Sequence, residues 1–212
     1  MEATVATIAL AGNPNCGKTT LFNALTGARQ HVGNYPGVTV EKKQGLYERN
    51  GHRFNLVDLP GTYSLTAYSL EEVVARDFLV NQKPELVINI LDASNLERNL
   101  YLAVQFMELG VPICMALNMI DVAKKRGISI DIDKLSDLLG IPVIATVARS
   151  GKGKEALMKA ASDYIAGRRP QEPLVISYGP DVDEAIDQLT VMIEDNQLLT
   201  DTYPARWLAL KY

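Results

Sequence analysis

A mostly parallel β-sheet wrapped by helices is the fold class that this sequence predicts. Short apolar runs rich in Val, Ile and Leu alternate with amphipathic helical patterns along the chain. A Gly-rich loop joins the first apolar run to the first helical pattern. One Asn-Gly pair between two β-rich runs marks a tight hairpin, hence a single antiparallel exception.

The elements follow in order. Residues 5–10 read as a buried first strand and 18–25 as the helix after it. Residues 41–48 and 52–58 flank Arg49-Asn50-Gly51 and form the hairpin at the sheet edge. Residues 86–91, 113–117 and 143–146 supply three more buried strands, giving six in all. Helices fit at 71–81, 95–109, 131–139 and 153–166. The polar, Pro-rich stretch 167–173 then closes a first unit of residues 1–167. In the second unit, 168–212, Val182, Ile186, Leu189 and Ile193 lie at helical spacing, and 203–212 reads as another helix with Pro204 in its first turn. That apolar helix runs to Tyr212 without a closing cap, so the unit reads as the truncated start of a small helical subdomain.

Composition narrows the functions. A chain of 212 residues with 47% hydrophobic and 22% charged residues has the makings of a soluble core. A net charge of −4 argues against a surface devoted to nucleic acid or anionic lipid. The N-terminus lacks the basic segment and apolar run of a signal peptide, and no apolar stretch reaches a membrane span of roughly 18 residues. The two cysteines, Cys16 and Cys114, lie far apart, which fits free thiols in a reducing cytosol.

Five segments carry chemistry. Gly12-Asn13-Pro14-Asn15-Cys16-Gly17-Lys18-Thr19 fits the phosphate-binding P-loop pattern, strand before and helix after. Its glycines let backbone N–H groups face phosphates, and the helix N-terminus adds partial positive charge. Lys18 is expected to reach the β- and γ-phosphates, the Thr19 hydroxyl to ligate Mg²⁺, and Thr20 to lie beside the nucleotide. Asp58-Leu59-Pro60-Gly61 ends a strand; its carboxylate suits Mg²⁺ through a water, and the Gly61 amide suits a γ-phosphate. Between them, Asn34-Tyr35-Pro36-Gly37-Val38-Thr39-Val40 is Gly/Pro-rich and without a core pattern. It is placed as a switch loop, with Thr39 offering a second hydroxyl to Mg²⁺ and its N–H to the γ-phosphate.

Asn118-Met119-Ile120-Asp121 follows a strand, and a carboxylate there accepts both N1–H and N2–H₂ of guanine, a pairing that adenine does not offer. Asn118 is placed to orient that loop and meet N7. Thr146-Val147-Ala148 opens the last loop, with the Ala148 N–H expected on guanine O6. Against the guanine motif of the GTPases that these segments resemble, Met119 replaces a common lysine, which implies looser nucleotide binding. Val147 replaces a serine, which implies a less braced last loop. Cys16 is taken as a small side chain chosen for fit, and Glu71 and Glu72 as acids favoured at a helix start.

In this order these elements resemble the Ras-like P-loop GTPases. The finer matches are Gly12 through Gly27, Val32-Gly33-Asn34-Tyr35-Pro36-Gly37-Val38-Thr39-Val40-Glu41, and Asp58-Leu59-Pro60-Gly61-Thr62-Tyr63-Ser64-Leu65. These look like the N-terminal cytosolic domain of the bacterial ferrous-iron transport protein B (FeoB) family, over about residues 3–166, with a helical spacer domain after it. The resemblance implies a G domain joined to a transmembrane permease at the cytoplasmic face of the inner membrane. It implies GTP and GDP as ligands, Mg²⁺ as cofactor, K⁺ as activator with Asn15 as its ligand, a homo-oligomer, and no nucleic-acid partner. Thr62 stands where Ras-type enzymes carry a water-positioning glutamine, so slow hydrolysis without a general base is expected, resting on Asn15, Lys18, Thr39 and Gly61. The competing readings are a soluble GTPase of ribosome assembly or tRNA modification, and a nucleotide-dependent scaffold with little turnover.

Overall fold

The computed structural model describes residues 5–49, 51–66, 68–168 and 174–212. Its strands make one seven-stranded sheet in the order β2-β3-β4-β1-β5-β6-β7. They are β1 (Ala6–Gly12), β2 (Gln30–Asn34), β3 (Glu41–Arg49), β4 (His52–Asp58), β5 (Leu86–Asp92), β6 (Ile113–Asn118) and β7 (Val143–Ala145). The helices are α1 (Lys18–Thr26), α2 (Leu70–Gln82), α3 (Leu96–Glu108), α4 (Ile120–Lys125), α5 (Ile132–Leu139), α6 (Lys154–Ile165), α7 (Pro180–Asp195) and α8 (Ala205–Ala209).

β1 is central because it is apolar on both faces. It runs parallel to β4, with Leu10 opposite Asp58, and parallel to β5, with Gly12 opposite Ile90. Side chains alternate, so Ile8 and Leu10 join a core with α1 and α6, while Ala9 and Ala11 join a second core with α2 and α3. Local signals fix the helix starts. Ser69 and Glu72 form a capping box at α2, and Asp131 caps α5 by accepting from the Lys134 amide at 3.0 Å.

The Ras-like architecture is as the sequence predicts, with two additions. β2 is a seventh strand paired antiparallel to β3, so the antiparallel strand β3 is flanked on both sides and β2 is the edge. All five β2 residues are exposed, which leaves no apolar alternation to read. α4 is a six-residue helix in a stretch expected to be loop. The hairpin between β3 and β4 is present, with Glu48 opposite Arg53 and Gly51 at φ 78°; Asn50 of its turn lies outside the described residues. Residues 169–173 of the expected linker also lie outside them.

The C-terminal helices pack on the α2/α3 face. Ile186, Ile193, Ala205, Trp207 and Leu208 belong to the core that contains Phe78 and Phe106. Tyr203 stacks on Trp207 at 4.8 Å between ring centres. The Leu174 amide donates to the Leu139 carbonyl at 3.0 Å, and Arg206 donates to the Ile176 carbonyl at 3.1 Å. The last helix is shorter than expected, and Pro204 stands just before it as its cap. Among the described residues no helix is long and apolar enough to cross a membrane.

Candidate functional site

The motifs at 12–19, 58–61, 118–121 and 146–148 lie at the C-terminal ends of β1, β4, β6 and β7. β1 ends on Gly12, the loop turns through Asn13, Pro14, Asn15 and Cys16, and α1 starts at Lys18. Glycine is required twice. A Cβ on Gly12 would strike the Ile90 carbonyl oxygen, and one on Gly17, at φ 90°, would strike the Asn118 side-chain amide. This tight backbone cradle is what phosphate binding asks of the loop. Asn13 and Cys16 are buried beneath it, whereas Pro14, Asn15, Thr19 and Thr20 are exposed on its outer side. Asn15 holds a left-handed φ of 65°.

Lys18 Nζ donates to Asp58 Oδ1 at 2.5 Å, and both side chains are largely buried. Burial pushes the Asp58 carboxyl above its ordinary range, and the Lys18 ammonium beside it opposes that push. The following residues are stitched to the phosphate loop. The Leu59 amide donates to the Leu10 carbonyl at 2.9 Å and the Thr62 amide to the Gly12 carbonyl at 3.3 Å. Gly61 lies against Pro14. Thr62 is buried and its hydroxyl is spent on the Ser64 backbone, so it does not face the site as a water-positioning group.

Asn118 clips the two ends of the site together. It is 2% exposed; its Nδ2 donates to the Cys16 carbonyl at 2.8 Å, and its Oδ1 accepts the Ala148 amide at 2.9 Å. The fully buried Thr146 hydroxyl points to the same oxygen at 3.4 Å. The Ala148 N–H expected on a guanine carbonyl is therefore engaged within the protein. Asn118 Oδ1 is buried between two loops, and this amide is a donor within its reach. Beside the clip lies a cleft of about 620 Å³ bordered by Gly17, Thr20, Met119, Asp121, Val147 and Lys152. Met119 holds a left-handed φ of 58° and leads into α4, whose first turn presents Asp121 to solvent. The last loop is braced despite Val147, because the Val147 amide donates to the Lys152 carbonyl at 3.0 Å.

The switch segment departs from the expectation of a loop without core contacts. Tyr35 is 7% exposed, and its ring meets Phe78 of α2 edge-on at 6.3 Å. Its hydroxyl donates to the Asp58 carbonyl at 3.4 Å. Val38 and Val40 are partly buried against the same core, Gly37 takes φ 75°, and Thr39 between the valines is exposed. No hydrogen bond among the described residues joins Thr39 to Lys18, Thr19 or Asp58. An aromatic residue amid glycine and proline was the available sign of this anchor.

Two smaller points close the comparison with the sequence reading. Burial pushes the Cys16 thiol up to about 11, in keeping with a packing role. Glu72 accepts from Ser64 Oγ at 2.8 Å and from the Tyr68 amide at 2.9 Å, so it organises the start of α2.

Known proteins match this chain along nearly its whole length. A family model described as ferrous iron transport protein B matches residues 6–161, and one for the FeoB cytosolic helical domain matches residues 178–212. The Fe(2+) transporter FeoB of Escherichia coli (strain K12) is 50% identical over 209 residues, which are 97% of this chain and 26% of the transporter. A Fe(2+) transport protein A/Fe(2+) transporter FeoB fusion protein of Porphyromonas gingivalis is 46% identical over 206 residues, 96% of this chain and 24% of that protein. The chain thus spans about a quarter of the length of these relatives. The crystal structure of the cytosolic domain of the T. maritima FeoB iron transporter in a GDP form superposes with a TM-score of 0.91 at 42% identity, covering 98% of this chain and 81% of that one. The GMPPNP form of the same domain gives a TM-score of 0.89. A GTPase-type nucleotide-binding fold with these matches, continued by the matching helical segment, means that the chain belongs to the ferrous iron transport protein B family.

Proposed function

We propose that the chain binds GTP and hydrolyses it slowly to GDP and phosphate, as the cytosolic switch domain of a ferrous-iron transporter of the bacterial inner membrane. The observation that carries this is the Asn118 clip, which ties the phosphate loop at Cys16 to the last loop at Ala148 beside a cleft bordered by Asp121. Relatives solved with GDP and GMPPNP, and transporters 50% identical, favour this over a soluble ribosome-assembly factor. The domain division follows the same lines: a G domain to about residue 167, then the beginning of a helical spacer that links to a permease region of the full-length polypeptide.

In this reading Asp121 selects guanine, Val147 and Ala148 border the base, and the loop from Gly12 to Thr20 wraps the phosphates. Lys18 leaves Asp58 for the β- and γ-phosphates, which frees the carboxylate. Asp58 through a water, with the hydroxyls of Thr19 and Thr39, is the oxygen donor set that suits Mg²⁺. Asn15, exposed on the loop, suits K⁺. Both cations supply positive charge beside the phosphates when bound. Water attacks the γ-phosphorus in line, the bond to the β–γ bridging oxygen breaks, and GDP leaves. The Gly61 and Thr39 amides receive the γ-phosphate oxygens, and no side chain serves as general base, which is why turnover is slow.

The test is phosphate release from GTP by the purified chain in K⁺ and in Na⁺. Stimulation by K⁺ that Asn15→Ala removes, and loss of nucleotide binding in Lys18→Ala, are expected. Fast hydrolysis in Na⁺ would refute the cation-assisted part; failure of the wild-type chain to bind either guanine nucleotide would refute the whole.

A further inference from the structure

We infer that Lys124, Lys125, Arg149 and Lys152 form an electrostatic collar that draws guanine nucleotides into the cleft from solution, and so set the rate of nucleotide capture. The inference rests on the GTPase reading above and gives a role to residues at the base end of the site. The lining of the cleft of about 620 Å³ carries these four cations and one carboxylate, Asp121, which makes its net charge +3. The chain as a whole carries −4, so everything outside this lining carries −7. A nucleoside di- or triphosphate is itself a polyanion, and most of the protein repels it.

The phosphate end of the site offers little to offset that repulsion. Its own cation, Lys18, is paired with Asp58 at 2.5 Å, and both side chains are largely buried. Opposite charges that close together nearly cancel at a distance. The four cations of the collar are different. All are exposed, and no ion pair among the described residues joins any of them to a carboxylate. A helix end favours Lys124 and Lys125, which lie in the last turn of α4. It does not account for Arg149 and Lys152, which come from the last loop and border the same cleft. Guanine is neutral, so its recognition by Asp121 makes no use of four cations. Positive charge gathered on a concave surface raises the local concentration of an anionic ligand and its rate of association. Once the phosphates reach the loop from Gly12 to Thr20, Lys18 takes over. The collar, exposed and screened by salt, then adds little to holding the nucleotide.

The experiment measures association and dissociation rates of fluorescent GDP by stopped flow, at ionic strengths from about 0.02 to 0.5 M and with Mg²⁺ held constant. The variants are Lys124→Gln/Lys125→Gln and Lys124→Glu/Lys125→Glu. A control, Lys83→Gln/Lys159→Gln, makes the same change in net charge as the first at exposed positions outside the lining. Lys83 precedes β5, at the end of the sheet opposite the site, and Lys159 lies on α6. At the lowest ionic strength the association rate should fall about threefold in the Gln pair and about tenfold in the Glu pair, with dissociation within about twofold of wild type. These differences should shrink at high salt, and the control should stay close to wild type throughout. An association rate that ignores salt, an equal loss in the control, or a change carried by dissociation would overturn the inference. The four cations would then be ordinary solvated charges. Failure of the wild-type chain to bind fluorescent GDP at any salt would instead refute the GTPase reading, and the collar with it.

Discussion

Truncating Asn118 separates the two halves of the site and gives the most direct measure of what its side chain does. Asn118→Ala removes a 2.8 Å bond to the Cys16 carbonyl and a 2.9 Å bond from the Ala148 amide, both at buried residues. Each bond is worth about 1 kcal/mol net, and a partner left buried without one costs about 1–3 kcal/mol. The sum is a loss of about 3 kcal/mol, or a fall in melting temperature of roughly 6–12 °C for a chain of this size. Gly17→Ala approaches the same contact from the other side, because its Cβ strikes Asn118 Nδ2 and its φ is 90°. The backbone part of that cost, about 1–2 kcal/mol, persists whatever stands at position 118. The part due to the displaced amide vanishes in the double variant. Thermal melting of both single variants and the double variant, without nucleotide, should therefore show a coupling of about 1–2 kcal/mol. Additivity within about 0.5 kcal/mol, or a fall of less than about 2 °C in Asn118→Ala, would refute the clip as an energetic link.

Other outcomes follow from single features. Burial raises the thiols of Cys16 to about 11 and Cys114 to about 12, so the folded state holds these protons more tightly than the unfolded one. That contribution is full below the ordinary thiol value of 9.0 and is lost as pH rises toward 11–12, which urea denaturation at pH 8, 10 and 11 will detect; a flat profile argues against it. Asn89 in β5 is 1% exposed, and its buried Nδ2 has no hydrogen-bond partner among the described residues. Asn89→Leu should raise the melting temperature by a few degrees, about 1–2 kcal/mol, and a lower value would mean that the amide has a partner in solution. Ser69→Ala removes the α2 cap and should cost about 1 kcal/mol, with faster amide exchange confined to the first turn of α2.

The parts of this molecule that the sequence makes legible are those where one physical signal dominates. β1, β5 and β6 are largely buried on both faces and read as near-continuous apolar runs, with Thr7 and Asn89 as interior polar interruptions. The cradle from Gly12 to Thr19 is legible because backbone crowding admits only glycine at two of its positions. β2 is not legible, since five exposed residues carry no pattern and the strand exists only by pairing with β3. The six residues of α4 are too few for helical periodicity to emerge. In the site, Asn118 and Ala148 are each identifiable, but their mutual hydrogen bond is a matter of loop geometry. The burial of Tyr35 depends on Phe78 and Asp58, both distant in sequence, and local composition there spoke for an open loop.

The C-terminal helices share a core with only one side of the sheet. Ile186, Ile193, Trp207 and Leu208 continue the cluster built on α2 and α3, while the cluster on α1 and α6 receives nothing from them. Mechanically, a displacement of α2 or α3 would meet α7 and α8 directly, whereas α1 and α6 share their buried cluster with neither. The chain's single tryptophan, Trp207, stands at that junction, stacked on Tyr203 with Lys211 over its ring. It is a built-in optical probe: a change in its emission on nucleotide exchange would register, without any label, movement delivered to the helical segment.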